Sequence, residues 1–362
     1  MPAVPASISC YVLEGPNQLS RSQRPVPALG QHELLVEVAG CGVCHTDIGF
    51  FAEGVRPKHP LPLTLGHEIS GRVVLAGDGA RELEGRAVVV SAVTPCGECL
   101  LCRSGRGSVC RSQVFVGSDS HGGFASHAVV PARGVAVVDE VRMARQGVSL
   151  PSLGVLADAV ATAYQALVRA GLRDGDVAIF IGTGGVGGFG VQIARALGAH
   201  AIALDVDDER LATIADFGAE MTLNPRGLDP KDVRKRINEV VKANLWPDVS
   251  WRIVETSGTA AGQELGFGLL GYDSNLSVVG YTLDKVSVRL SNLMAFHATA
   301  QGNWGCLPEH FPQVLELVAS GRVRVAPFVE ERPMSRILET FNAIKDKTIK
   351  KRPVLIPDFG IA

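Results

Sequence analysis

Four of the eight cysteines, Cys96, Cys99, Cys102 and Cys110, are spaced C-x2-C-x2-C-x7-C. Thiolates this close in sequence can close around one tetrahedral ion, and zinc is the ion that four-sulfur sites of this kind hold. A disulfide framework would require an oxidising compartment and usually a much smaller chain than these 362 residues. The spacing therefore predicts a structural zinc lobe over about residues 95–111. Cys10, Cys41 and Cys306 have no partner motif and read as small apolar packing residues.

The run Ile181-Gly-Thr-Gly-Gly-Val-Gly contains G-x-G-x-x-G at Gly182, Gly184 and Gly187, with Gly185 and Val186 completing the turn. Gly182 permits a tight turn, Gly184 lets backbone approach a pyrophosphate, and Gly187 lets a helix pack on a strand, its N-terminus facing the phosphate. Alone the motif is weak, because any glycine-rich turn would match it. Asp205, at the end of the next apolar run, strengthens it: an acid there accepts hydrogen bonds from an adenosine ribose. Its charge would repel the extra phosphate of NADP, so NAD is the expected cofactor. Asp205 could also cap a helix starting near Asp207.

These residues need elements to hold them. The first half reads as β-rich: Leu34, Val36 and Val38 alternate, and strand-like runs follow at Gly71 to Ala76 and Arg86 to Val93. From about Ala157 the pattern becomes alternating strand and helix. Val177 to Ile181 and Ala201 to Asp205 are apolar runs on either side of a helical spacing from Val186 to Leu197, and further runs occupy Val249 to Glu255 and Leu276 to Tyr281. Short apolar strands between helices indicate a parallel sheet covered on both faces. The expected fold is α/β: a β-rich domain over 1–159, a doubly wound Rossmann domain over 160–303, and a return to the first domain over 304–362.

The formal charge of -2 leaves no basic field for nucleic acid or anionic lipid. The first residues lack a basic segment followed by an apolar core, and glycines break the most apolar window, so a soluble cytoplasmic protein is expected.

Gly42-Val-Cys-His-Thr-Asp-Ile and Gly66-His-Glu, together with the cysteine lobe and the nucleotide motif, resemble the zinc-dependent medium-chain alcohol dehydrogenases over nearly the whole chain. The resemblance implies a GroES-like first domain, a second, catalytic zinc and NAD. It makes Cys44 and His67 zinc ligands, with Glu68 beside the metal, Thr46 the hydroxyl that receives the substrate proton, and Asp47 the group that orients His67. His45 and Arg352 match pyrophosphate contacts, and Arg210 a basic residue near the adenosine ribose. Asp158 stands where the family usually has its third ligand, a cysteine. Carboxylate oxygen also binds zinc and would complete an open three-ligand site, although an aspartate before Ala-rich sequence can equally cap a helix. Gly49 replaces the histidine that ends the proton relay in many relatives; His59 is a weak substitute.

The runs Phe296 to Cys306 and Arg352 to Phe359 are similar to family members that oxidise the ring hydroxyl of an alicyclic hydroxyacyl-CoA. The resemblance thus implies oxidation of a secondary alcohol to a ketone, with water addition to the conjugated product as an accompanying activity, and a homo-tetramer or dimer. Lys345, Lys347, Lys350, Lys351 and Arg352 form a candidate contact for CoA phosphates or a solvated C-terminal face. A general secondary-alcohol or polyol dehydrogenase and a non-catalytic nucleotide-binding relative are the alternatives.

Overall fold

The computed structural model describes residues 4–360. The chain divides into two compact units, one formed up to Ala161 and again from Gly305, the other spanning Thr162–Trp304.

The first unit is built on a seven-stranded sheet. Glu33–Gly42 pairs antiparallel with Glu68–Ala76, with His127–Pro131 and with Arg352–Ile356 from the end of the chain. The alternation at Leu34, Val36 and Val38 buries all three in one core with Ile69, Val73, Val88 and Val90. The run expected at Arg86 to Val93 divides into Ala87–Val90 and Val93–Thr94, which join different sheets.

The second unit is a six-stranded parallel sheet in the order Met221–Leu223, His200–Leu204, Val177–Ile181, Arg252–Glu255, Asn275–Val278 and Thr299–Gly302. Val177–Ile181 is buried throughout, as a central strand covered on both faces must be. The strands end level: Ile181 lies beside Leu204 and Glu255, and Glu255 beside Val278. Val177–Ile181 is the strand at which the order reverses, and in open α/β sheets ligands bind at the carboxyl ends beside such a switch. Among the described residues no helix is long and apolar enough to cross a membrane.

Candidate metal and nucleotide sites

Cys44 is the N-cap of the helix His45–Ala52 and His67 immediately precedes the strand Glu68–Ala76. Asp47, fully buried, joins them: one carboxylate oxygen accepts the Cys44 N–H at 2.9 Å, the other accepts the Gly66 N–H at 3.1 Å and lies 3.6 Å from His67 Nδ1. Gly66 has a φ of 95°, and a side chain there would meet the Cys41 sulfur at 2.7 Å, so only glycine makes this approach. Asp158 enters from between the 3-10 turn Pro151–Ala157 and the helix Ala159–Arg169. Its Oδ2 is 3.5 Å from Cys44 Sγ and 3.6 Å from His67 Nε2.

Cys44, His67, Glu68 and Asp158 each offer a ligand atom, and these atoms all lie within 4.8 Å of one another. One sulfur, one imidazole nitrogen and carboxylate oxygens form a donor set suited to zinc, and three potential anions in a buried cluster call for a cation. Burial pushes the Glu68 carboxyl above its ordinary range, against the pull of Arg352. Thr46 Oγ1 is 3.7 Å from Cys44 Sγ.

Arg352 is mostly buried and both its Nε and Nη2 donate to Glu68, the Nε at 2.8 Å, while Nη2 lies 3.9 Å from Asp158. Expected at a pyrophosphate, it is placed first against the acid of the metal cluster. His45 is exposed at the first position of its helix, and Lys345, Lys347, Lys350 and Lys351 are exposed as well. His59 is turned to its own neighbour, its Nδ1 2.6 Å from the Pro60 carbonyl, and its ring is 5.0 Å from that of His121.

In the cysteine lobe the sulfurs of Cys96 and Cys102, Cys99 and Cys102, and Cys99 and Cys110 are 3.5–3.8 Å apart. Those are edges of a tetrahedron with metal–sulfur bonds of about 2.3 Å. Backbone N–H groups, first that of Glu98 and then that of Cys99, lower the Cys96 thiol to about 6, so it is readily a thiolate.

In the second unit Gly182 has a φ of 89° and turns the chain out of its strand. No side chain caps the helix Gly187–Ala196, and of its first N–H groups that of Gly188 donates to the Gly184 carbonyl at 3.0 Å. The Asp205 carboxylate is already oriented by its own loop: Oδ2 accepts Thr183 N–H at 2.7 Å and Thr183 Oγ1–H at 3.0 Å, and Oδ1 accepts Asp207 N–H at 3.0 Å. The helix cap is Asp207, which accepts from Glu209 and Arg210, so Asp205 does not serve as that cap. Arg210 lies 3.7 Å from Asp207 and reaches over Gly184. The part of Thr183 escaped the sequence reading, although a hydroxyl inside a glycine turn was the available signal.

The first unit matches the alcohol dehydrogenase GroES-like domain over residues 30–140, and residues 185–320 match the zinc-binding dehydrogenase domain. An L-threonine 3-dehydrogenase of Pyrococcus abyssi is 30% identical over 314 residues, 85% of this chain and 86% of that one. The chain belongs to the zinc-dependent medium-chain alcohol dehydrogenase family. An alcohol dehydrogenase of Geobacillus stearothermophilus is 29% identical over 91% of this dehydrogenase and 93% of its own length. The crystal structure of an alcohol dehydrogenase from Thermotoga maritima superposes with a TM-score of 0.85 at 26% identity, covering 97% of this chain and all of the other. The dehydrogenase is therefore an NAD-linked zinc enzyme, and its two clusters are consistent with one structural and one catalytic zinc.

Proposed function

We propose that this dehydrogenase oxidises a secondary alcohol to a ketone, and that the alcohol is the ring hydroxyl of 6-hydroxycyclohex-1-ene-1-carbonyl-CoA. The convergence of Cys44, His67 and Asp158 on one point carries the reading. Zinc held there supplies Lewis acidity to the hydroxyl, and NAD accepts the hydride. Cys44 Sγ, His67 Nε2 and an Asp158 oxygen are the donors, and three protein donors leave a position open for substrate. Asp47, engaged at Nδ1, fixes the His67 ring so that Nε2 faces the cluster. Thr46 Oγ1 receives the hydroxyl proton. With Gly49 bare, that position offers no imidazole to take the proton on from Thr46.

The narrower substrate is supported by the likeness of the runs Phe296 to Cys306 and Arg352 to Phe359, and by the exposed lysines between Lys345 and Lys351, whose charge suits CoA phosphates. A polarised conjugated ketone is also open to water at its β-carbon, so hydration of the double bond is proposed as a second activity of the same site. The names of the relatives, which include L-threonine 3-dehydrogenase and L-galactonate-5-dehydrogenase, favour a small hydroxylated substrate as the second reading. A cytoplasmic homo-oligomer, tetramer or dimer, is proposed; the edge strand Thr299–Gly302 carries no charge to discourage pairing.

Following NADH formation with simple alcohols, polyols and hydroxyacyl-CoA thioesters tests these readings. Turnover of the alicyclic thioester alone is the expected result. Turnover of simple alcohols or polyols alone removes the CoA substrate, and no turnover of any alcohol removes the secondary-alcohol reading. No water uptake by the unsaturated ketone thioester without NAD removes the hydration.

A further inference from the structure

Thr256 follows Glu255, the last residue of the strand Arg252–Glu255, at the level where Ile181 ends the neighbouring strand. Its N–H donates to the Ile181 carbonyl at 2.9 Å. Its hydroxyl lies 2.6 Å from the Gly182 carbonyl oxygen and 3.1 Å from that of Ile181. A hydroxyl has one hydrogen, and the shorter, Gly182 contact takes the larger share of it.

The other end of that same peptide is held from the opposite side. The N–H of Thr183 donates to Asp205 Oδ2 at 2.7 Å. Because a peptide is planar, fixing its carbonyl fixes its N–H as well. Thr256 from one flanking strand and Asp205 from the other therefore pin the Gly182–Thr183 plane between them. Gly182, at a φ of 89°, has no side chain of its own to resist rotation of that plane.

Two further contacts place Thr256 at the centre of the turn. A Cβ on Gly187 would lie 2.5 Å from Thr256 Oγ1, so the hydroxyl fills the notch beneath the first residue of the helix. The following residue, Ser257, packs on Gly182, where an added Cβ would meet Ser257 N and Cα at 2.8 Å. Ser257 is in turn anchored on the buried Glu255, whose Oε1 accepts Ser257 N–H at 2.7 Å, Ser257 Oγ–H at 2.5 Å and Gly258 N–H at 3.1 Å.

We propose that Thr256 is a positioning residue for the nucleotide: its hydroxyl orients the Gly182–Thr183 peptide and, through it, the Asp205 carboxylate that meets the ribose. The proposal rests on the reading of this turn as the NAD site. Its own content is that the hydroxyl, rather than the bulk, of residue 256 sets cofactor affinity.

The test is NADH binding by fluorescence titration of the zinc-loaded enzyme, with steady-state kinetics in NAD. Thr256→Val keeps the shape and deletes the donor; it is expected to raise the NADH Kd and the KM for NAD about tenfold. Its kcat should stay within about twofold, because the residue touches no reacting atom, and Thr256→Ser should bind within about twofold of wild type. With Asp205→Asn, the combined loss should be smaller than the product of the two single losses, as residues acting through one element require. A Val variant that binds NADH like wild type overturns the proposal, whatever its melting temperature, and so does a fully multiplicative double variant. If the Val variant fails to fold, Thr256→Cys takes its place, and equal affinities of the Ser and Cys variants overturn the proposal. A wild-type enzyme that binds no NADH removes the reading of the turn and the proposal with it.

Discussion

Removing Arg352 would leave Glu68 as a carboxylate with no solvent exposure and without its cation. Breaking a buried pair on one side costs far more than the pair contributes, because the remaining charge stays desolvated. Arg352→Met is expected to lower unfolding stability by about 3–5 kcal/mol, measured by denaturant titration. A loss below about 1 kcal/mol would show that Glu68 takes its proton or another partner instead. At this scale the sequence reading was uneven. The lobe cysteines and the glycine turn were legible because their residues are neighbours in the chain. The contact of Cys44 with Asp158 spans 114 residues and that of Glu68 with Arg352 spans 284. No spacing rule reaches so far; resemblance alone nominated Asp158, and nothing indicated that Arg352 would turn to Glu68.

The strand–turn–helix at Val177–Ile181 and Gly187–Ala196 is the element on which nucleotide binding depends. Gly187 sits directly on the Gly182 carbonyl oxygen, so a methyl group there must push the helix off its strand. Gly187→Ala is expected to cost about 1–3 kcal/mol of stability, as overpacking does, and to raise the Kd for NADH. Calorimetry with titration checks both; an unchanged Kd would mean that helix placement does not govern the site. Element types were read correctly from apolar runs, while their ends were displaced. The strand expected from Val249 begins at Arg252, after Ser250 takes a φ of 58° that extended backbone excludes. The strand expected to reach Tyr281 stops at Val278, where the N–H groups of Val279 and Gly280 both turn to the Glu255 carbonyl. Hydropathy marks what is buried, whereas the ladder ends where backbone hydrogen bonds change partner.

In the whole molecule the metal donors all belong to the first unit and the glycine turn to the second. The division was legible because period-two and strand–helix patterns change near Ala157. His121, whose Nδ1 accepts the Thr64 N–H at 3.2 Å, is one contributor to the acid stability of the first unit. Burial first, then the charges of Arg24 and His59, pushes this histidine down to about 4. The unfolded chain takes up that proton near pH 6.5, so the contribution is complete above 6.5 and is lost as pH falls towards 4. Melting temperature should therefore fall less steeply over that interval in His121→Asn, which keeps an acceptor and does not titrate. Parallel curves for the two proteins would exclude His121 as a source of the acid sensitivity. Whether Asp158 completes a catalytic zinc site separate from the cysteine lobe is decided by counting zinc in purified wild type and Asp158→Ala. Two ions per chain are expected in the wild type and one in the folded variant, with NAD-linked oxidation lost. Two ions retained in the variant would contradict that role of Asp158.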